Sequence, residues 1–129
     1  AVDNAKASFE EAHIDSFVLG NPDESIFPAI MGTTNVSANE VNALGILETF
    51  DASQIIVAAD NAVKTAEISL IEIRLARGMC GKSYVIMTGE VAAVTAAVER
   101  ARDIVSSSGM FLDSSVIARP DRKLIEKIL

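Results

Sequence analysis

The most constraining feature of the sequence is an alternating apolar stretch, ISLIEIRLA, at residues 68–76, followed closely by a second β-prone stretch, KSYVIMTG. Ile71 and Ile73 of the first stretch fall on one face, and Glu72 and Arg74 fall on the other. This alternation predicts a half-buried strand. Because a short glycine-containing loop joins the two stretches, we predict that they form a β-hairpin.

Strand-like and helix-like segments flank this hairpin in a regular order. Before it we predict a strand at 43–49 and an amphipathic helix with Ser53 as its N-cap. After it we predict a helix at 90–107, a strand at 110–118 and a short terminal helix. The apolar stripe of the 90–107 helix consists of Val91, Val94, Val98, Ala101 and Val105. The order β-α-β-β-α-β indicates an α+β, ferredoxin-like sheet with its helices on one face.

Charge and composition exclude several classes of partner. The formal net charge of −7 argues against binding to nucleic acid or to anionic membrane surfaces. No apolar run approaches the roughly 18 residues of a membrane span, and the N-terminus lacks the pattern of a signal peptide. A single cysteine among 129 residues cannot form an internal disulfide, which fits a cytoplasmic protein.

An internal repeat links the two ends of the chain. Residues 15–30, DSFVLGNPDESIFPAI, align with residues 113–128, DSSVIARPDRKLIEKI, with six of sixteen positions identical. Chance similarity between short apolar segments is the alternative to duplication. If the repeat is a duplication, residues 1–30 are the last helix, last strand and tail of a truncated first domain. Residues 31–42 then form a linker, and residues 43–129 form a complete second domain.

Several motifs resemble one known family, the bacterial microcompartment shell domain. They are ALGILET, AADNAVKTAEI, the glycine-rich turn, VIMTGEVAAVTAAVE and SSVIARP, in this order between residue 43 and about residue 120. The partial repeat resembles the tandem-domain subclass, whose members form trimers that mimic a hexamer. Within it the chain is similar to shell proteins of propanediol-utilisation compartments that carry an iron–sulfur centre.

The resemblance implies a structural, non-catalytic protein. Family members tile into the facets of a cytoplasmic compartment, around a pore on the symmetry axis. The expected partners are further copies of the chain, other shell proteins and small metabolites at the pore. Two alternatives stay open: an oligomeric ferredoxin-like module that binds a small ligand, and an electron-transfer protein with a symmetric iron–sulfur centre.

The resemblance also assigns roles to residues of this chain. Lys64 and Arg119 match residues at the lateral edge, where neighbouring tiles meet, although either could be a plain solvated charge. The turn after the 68–76 strand is expected to approach the pore. Its glycines would let backbone amides face the opening and bind a polar metabolite. The pore-loop residues are Gly78, Met79, Cys80 and Gly81.

Cys80 and the Gly-Lys-Ser triplet beside it allow three interpretations. A phosphate-binding loop needs a glycine where Ala76 stands and a helix after the triplet, whereas a strand is predicted. A metal site needs more than one thiol, but three copies on a threefold axis could hold a 4Fe-4S cluster. The resemblance places that cysteine in the missing first domain, one position out of register with Cys80. The third interpretation is an ordinary turn residue.

No constellation of residues predicts catalysis. His13, the only histidine, has no cysteine or carboxylate cluster at ligand spacing, so we expect a structural or exposed role. There is no Ser-His-Asp set and no pair of carboxylates at helical spacing. The sequence therefore favours a protein that is not an enzyme.

Overall fold

Four strands and two long helices follow one another from residue 43 in the predicted order. The structure is a computed structural model that describes all of residues 1–129. The sheet order is β2-β3-β1-β4, and every neighbouring pair is antiparallel. The elements are α1 (Val2–Ser8), α2 (Ile26–Met31), β1 (Ala43–Thr49), α3 (Ala52–Thr65), β2 (Ile68–Arg74), β3 (Ser83–Gly89), α4 (Val91–Ser106), β4 (Phe111–Ile117) and α5 (Arg122–Ile128), with short 3-10 turns at Glu10–Ala12 and Ala38–Glu40. The ferredoxin-like α+β prediction is confirmed.

The main core lies between the sheet and the two long helices. It is built from small and branched side chains, which allow close packing. A Cβ on Gly45 of β1 would lie 2.7 Å from Val94 and 2.8 Å from Val98. Helix α4 therefore packs directly on the backbone of β1, and no larger residue fits at Gly45 without movement of the helix.

The opposite face of the sheet is also partly covered, which the sequence did not indicate. Val41, Leu44, Ile71, Ile86 and Ile125 form a second, smaller buried cluster. Ile125 belongs to α5, so the prediction that the helices lie on one face holds for α3 and α4 but not for the terminal helix. The central strands β1 and β3 are almost wholly buried and carry apolar side chains on both faces. The second face therefore also needs cover from water.

A β-bulge in β2 changes the face of the sheet on which the following side chains lie. Leu70 pairs with Met87 and Glu72 pairs with Ile86, so the register shifts between them and Ile71 is an extra residue. Leu70 and Ile73 join the main core, whereas Ile71 joins the second cluster. The prediction that Ile71 and Ile73 share a face is therefore wrong.

Two local predictions about the helices also need correction. The N-cap of α3 is Asp51, whose side chain accepts from the Gln54 amide at 2.7 Å, and Ser53 lies inside the helix. An aspartate two residues before serine can cap equally well, and spacing alone did not separate the two. In α4, Val91 is exposed while the other four stripe residues face the core.

Residues 15–41 make hydrogen bonds and buried contacts with the fold that begins at Ala43, whereas residues 1–14 are exposed. Residues 13–19 belong to no strand, and the four-stranded sheet does not include them. The strand expected here is thus absent from this structure. Residues 31–42 are more than a linker, since Thr34 Oγ1 donates to the Ile71 carbonyl at 2.9 Å and Val41 is buried. No helix has the length and apolar character needed to cross a membrane.

Candidate functional site

The sheet register separates the predicted pore residues from the predicted edge residues. Ile68 pairs with Gly89, Gly89 with Ala43, and Leu44 with Ile117. The end of α3 and the end of β4 therefore meet at one end of the sheet. The loop between β2 and β3 lies at the other end, roughly 20 Å away for seven-residue strands. Lys64 and Arg119 share the first end, as the resemblance requires of edge residues.

The loop between β2 and β3 has a strained backbone. Besides its two glycines, Ala76 and Cys80 adopt positive φ angles of 49° and 54°. Residues with a Cβ pay about 1–2 kcal/mol for this left-handed conformation. Ser83 Oγ accepts from the Ala76 amide at 3.0 Å and helps to hold the loop closed. Ser83 begins β3, so the strand predicted after the Gly-Lys-Ser triplet is confirmed, whereas a phosphate-binding loop needs a helix there.

The same loop offers hydrogen-bond donors and positive charge. The amides of Gly78, Cys80 and Gly81 donate to no other group of the chain. Arg77 and Lys82 lie on either side of them and are exposed. In a protein with a net charge of −7, this loop is a local concentration of cationic side chains and free amides. Such a surface suits small polar or anionic molecules.

Cys80 lies exposed in this loop as the single thiol of the chain. No group of three histidine, cysteine or carboxylate side chains is placed to hold a metal ion. The residues of one chain therefore do not fit an iron–sulfur cluster, and any cluster would need thiolates from further copies.

At the opposite end of the sheet, Lys64 lies in a hydrogen-bond network that includes the backbone of Asn21 and Asp23. Its ammonium donates to Asp60 Oδ2 at 2.6 Å and to the carbonyl of Asn21 at 3.0 Å. The other carboxylate oxygen of Asp60 accepts from the amide of Asp23 at 2.8 Å. The predicted edge lysine thus joins α3 to the backbone at residues 21–23.

A second junction holds the same segment, residues 13–25, which we call the strap. The carboxylate of Asp15 accepts from Ser53 Oγ at 2.7 Å and from Gln54 Nε2 at 2.6 Å, at the start of α3. These hydrogen bonds hold the pKa of Asp15 below its ordinary value, with smaller help from the Ser16 amide and the charge of His13. The strap is therefore fastened to both ends of α3.

The side chains of two predicted residues form no hydrogen bond and no ion pair within the chain. Arg119 follows β4, is exposed and forms no ion pair. His13 is exposed at the start of the strap. The structure places Arg119 at the same end of the sheet as Lys64, and its assignment to the lateral edge stays a prediction.

Asp60 is the residue that the sequence analysis missed. It precedes Lys64 by four residues, a spacing at which side chains on a helix pair. That spacing is a usable signal, but it did not show that the carboxylate would be buried or that it would bind the strap. Both facts depend on the strap crossing α3.

The fold agrees with comparisons against known proteins. A family model described as the BMC domain matches residues 43–120, most of the chain. The chain belongs to the BMC domain family. In that family it resembles the bacterial microcompartment shell protein PduT of Citrobacter freundii, with 37% identity over 111 residues. The carboxysome shell protein CcmK1 of a Synechocystis strain is 34% identical over 86 residues, which cover 64% of this chain and 74% of CcmK1.

A solved structure supports the same assignment to the BMC domain family. A microcompartment protein from Desulfitobacterium hafniense DCB matches 97% of this chain with a TM-score of 0.85 and 38% identity, and the match covers 68% of that protein. The alignment with PduT covers 86% of this chain and 59% of PduT. These relatives are named as shell or microcompartment proteins, so they favour a shell role over the ligand-binding and electron-transfer alternatives.

Proposed function

We propose that this BMC domain protein is a structural tile of a microcompartment shell and has no enzymatic activity. The loop between β2 and β3 borders a pore on the symmetry axis, and Lys64 with Arg119 lies at the lateral edge. The observation that carries this assignment is the register, which puts the loop and the two cations at opposite ends of one sheet. Pore and edge must be separated in this way in a tile.

The tile is a trimer of tandem chains, in which each chain contributes two BMC domains. The internal repeat supports this arrangement, and so does the match to PduT, a protein longer than this chain. On this reading residues 1–30 are the end of the first domain. Partners are then further copies of the chain and other shell proteins along each edge.

The molecules that cross the pore are small and polar, preferably anionic. Three free amides and two exposed cations per loop support this preference. Several copies of the loop around one axis multiply the positive charge and draw anions into the opening. The strained left-handed conformation of Ala76 and Cys80 keeps the amides turned away from internal partners.

A 4Fe-4S cluster on the threefold axis is the second candidate use of the loop. The exposed thiol of Cys80 is the only observation in its favour. Anaerobic purification followed by iron analysis tests it, with Cys80→Ser as the matched variant. We expect Cys80→Ser to fold normally and to contain as little iron as the wild type. Iron that is bound by the wild type and lost in Cys80→Ser would establish the cluster.

Native mass spectrometry tests the tile. We expect a trimer or hexamer, because the pore exists only in a closed ring. A monomer or dimer at all concentrations would remove the pore and favour the ligand-binding module.

Substitution of Arg119 tests the edge. We expect Arg119→Ala to leave the ring intact in native mass spectra but to reduce the sheets seen by electron microscopy, since an exposed guanidinium is lost at the lateral contact. Arg100→Ala removes an equally exposed arginine from α4 and serves as the control. Equal sheet formation in the two variants would contradict the role of Arg119.

A further inference from the structure

The side chain of Asp60 is buried in a position where a carboxylate needs strong partners. It is 3% exposed, yet it lies on a surface helix beside a lysine that is 43% exposed. Its oxygens are satisfied from two directions, by the Asp23 amide and by the Lys64 ammonium. An unpaired carboxylate here would be costly, so both contacts are needed to keep it in place.

The side chains of Asp60 and Lys64 form a closed ring of hydrogen bonds with the strap backbone. The Asp23 amide donates to the Asp60 carboxylate. The Lys64 ammonium donates both to this carboxylate and to the carbonyl of Asn21, two residues before Asp23. Asn21 has a φ of 57°, a left-handed conformation that asparagine tolerates better than most residues. The ring therefore holds the lysine at a specific place over the turn.

The Lys64 ammonium has one N–H donor that no group of the chain uses. A lysine ammonium has three N–H donors, and two of them are used inside the chain. Because the side chain is still 43% exposed, the third donor is open to an acceptor on another molecule. A free lysine loses much rotamer freedom when it binds, whereas a lysine already held by two bonds loses little.

We propose that Asp60 is a positioning residue for Lys64 in tile-to-tile contact, and that the strap turn at Asn21–Asp23 completes this device. The proposal rests on the edge role of Lys64 in the proposed function. The partner is a backbone carbonyl or carboxylate on the edge of a neighbouring shell tile, since an ammonium donates to oxygen acceptors. Asp60 itself does not touch that neighbour.

A double-mutant cycle tests whether Asp60 acts through Lys64. The purified protein and the variants Asp60→Asn, Lys64→Ala and the double variant are compared by the critical concentration for sheet formation. We expect Asp60→Asn to raise it about three- to tenfold, Lys64→Ala to raise it at least as much, and the double variant to match Lys64→Ala. Asp103→Asn, an exposed carboxylate on α4, controls for the change in charge.

The outcomes separate this inference from the edge assignment. Unchanged assembly in Lys64→Ala overturns the edge role and the inference with it. Loss of assembly in Lys64→Ala with none in Asp60→Asn overturns the inference alone. So does a double variant that is worse than Lys64→Ala by the full effect of Asp60→Asn, because Asp60 would then act independently.

A measurement on the wild type keeps the test valid if Asp60→Asn does not fold. In NMR spectra of the unassembled tile, we expect the Lys64 ammonium protons to exchange with water at least about tenfold more slowly than those of Lys82. Lys82 is exposed and has no hydrogen-bond partner for its side chain within the chain. Equal exchange at the two lysines would show that Lys64 is not held and would overturn the proposal.

Discussion

Residues 15–30 and their repeat at residues 113–128 begin alike and end in different structures. Asp15 and Asp113 each accept a hydrogen bond from the next amide, at 2.7 and 2.8 Å. Asp113 lies within β4 of the sheet, whereas the first copy belongs to no strand. The same local pattern therefore becomes a strand only where another strand lies beside it.

The turn that follows keeps one feature in both copies, a hydrogen bond from an amide to the aspartate two residues before it. The carboxylates of Asp23 and Asp121 accept from the amides two residues later at 2.9 and 2.8 Å, and a short helix begins after each. Such an aspartate turn depends on contacts within a few residues. The comparison teaches that this turn survives a change of surroundings and strand pairing does not, although only Asp121 is itself a helix N-cap and α2 has Ser25 in that place.

The largest expected difference between the copies lies in their helices. Ile26 in α2 is 2% exposed within the main core, whereas its counterpart Leu124 in α5 is 40% exposed. We expect Ile26→Ala to lower the free energy of unfolding by about 2–4 kcal/mol and Leu124→Ala to lower it by less than about 1 kcal/mol. Urea denaturation of both variants measures the difference. Equal losses would mean that α2 is not docked in solution.

A second pair of variants tests the strand. Val116 of β4 packs against the main core, whereas its counterpart Val18 is 71% exposed. We expect Val116→Asp to cost about 1–3 kcal/mol, because it brings a charge against the core. Val18→Asp should stay within about 0.5 kcal/mol. A large loss from Val18→Asp would show that residues 15–19 are paired in solution, for example with a first-domain sheet.

The smallest expected effect is a pH dependence of the strap. The pKa of Asp15 is lowered mainly by its hydrogen bonds from Gln54 and Ser53. Its contribution to stability should therefore be complete above the unfolded-state pKa of about 3.9 and be lost as the pH falls through the lower folded-state value.

Unfolding curves of the wild type and Asp15→Asn between pH 2 and 6 measure this contribution. We expect the two proteins to differ at pH 6 and to converge in acid. Asp113→Asn removes only the matching bond to its neighbouring amide, and we expect it to change the stability by less than about 0.5 kcal/mol. A difference between wild type and Asp15→Asn that does not change with pH would contradict the role of the Asp15 carboxylate.

Local and periodic signals predicted most of the second domain. The strands and helices between residues 43 and 128 lie within a few residues of their predicted bounds, because alternation and helical spacing report directly on burial. The bulge at Ile71 was not visible, since an extra residue in a strand leaves the composition and alternation unchanged. Residues 15–19 were predicted as a strand for the same reason, as their pattern is that of β4.

In the candidate site, too, some features were predicted from the sequence and others required the tertiary structure. The loop residues Met79 and Cys80 and the cations Lys64 and Arg119 were identified through motifs, and their roles stay predictions. Free amides at Gly78, Cys80 and Gly81 required coordinates, because an amide is free only if no other group reaches it. The burial of Asp60 required the strap to cross α3, which no local pattern states.

By itself, the sequence determined the order of the elements, the glycine-containing loop and the acidic charge. Each of these depends on neighbours within about four residues or on composition alone. Only the tertiary structure decided which segment joins the sheet, which face each β2 residue occupies and that the strap buries the Asp60 carboxylate. These depend on contacts between residues far apart in the sequence, such as Leu70 with Met87, Asp60 with Asp23 and Lys64 with Asn21, and on the hydrogen-bond partners that such contacts supply.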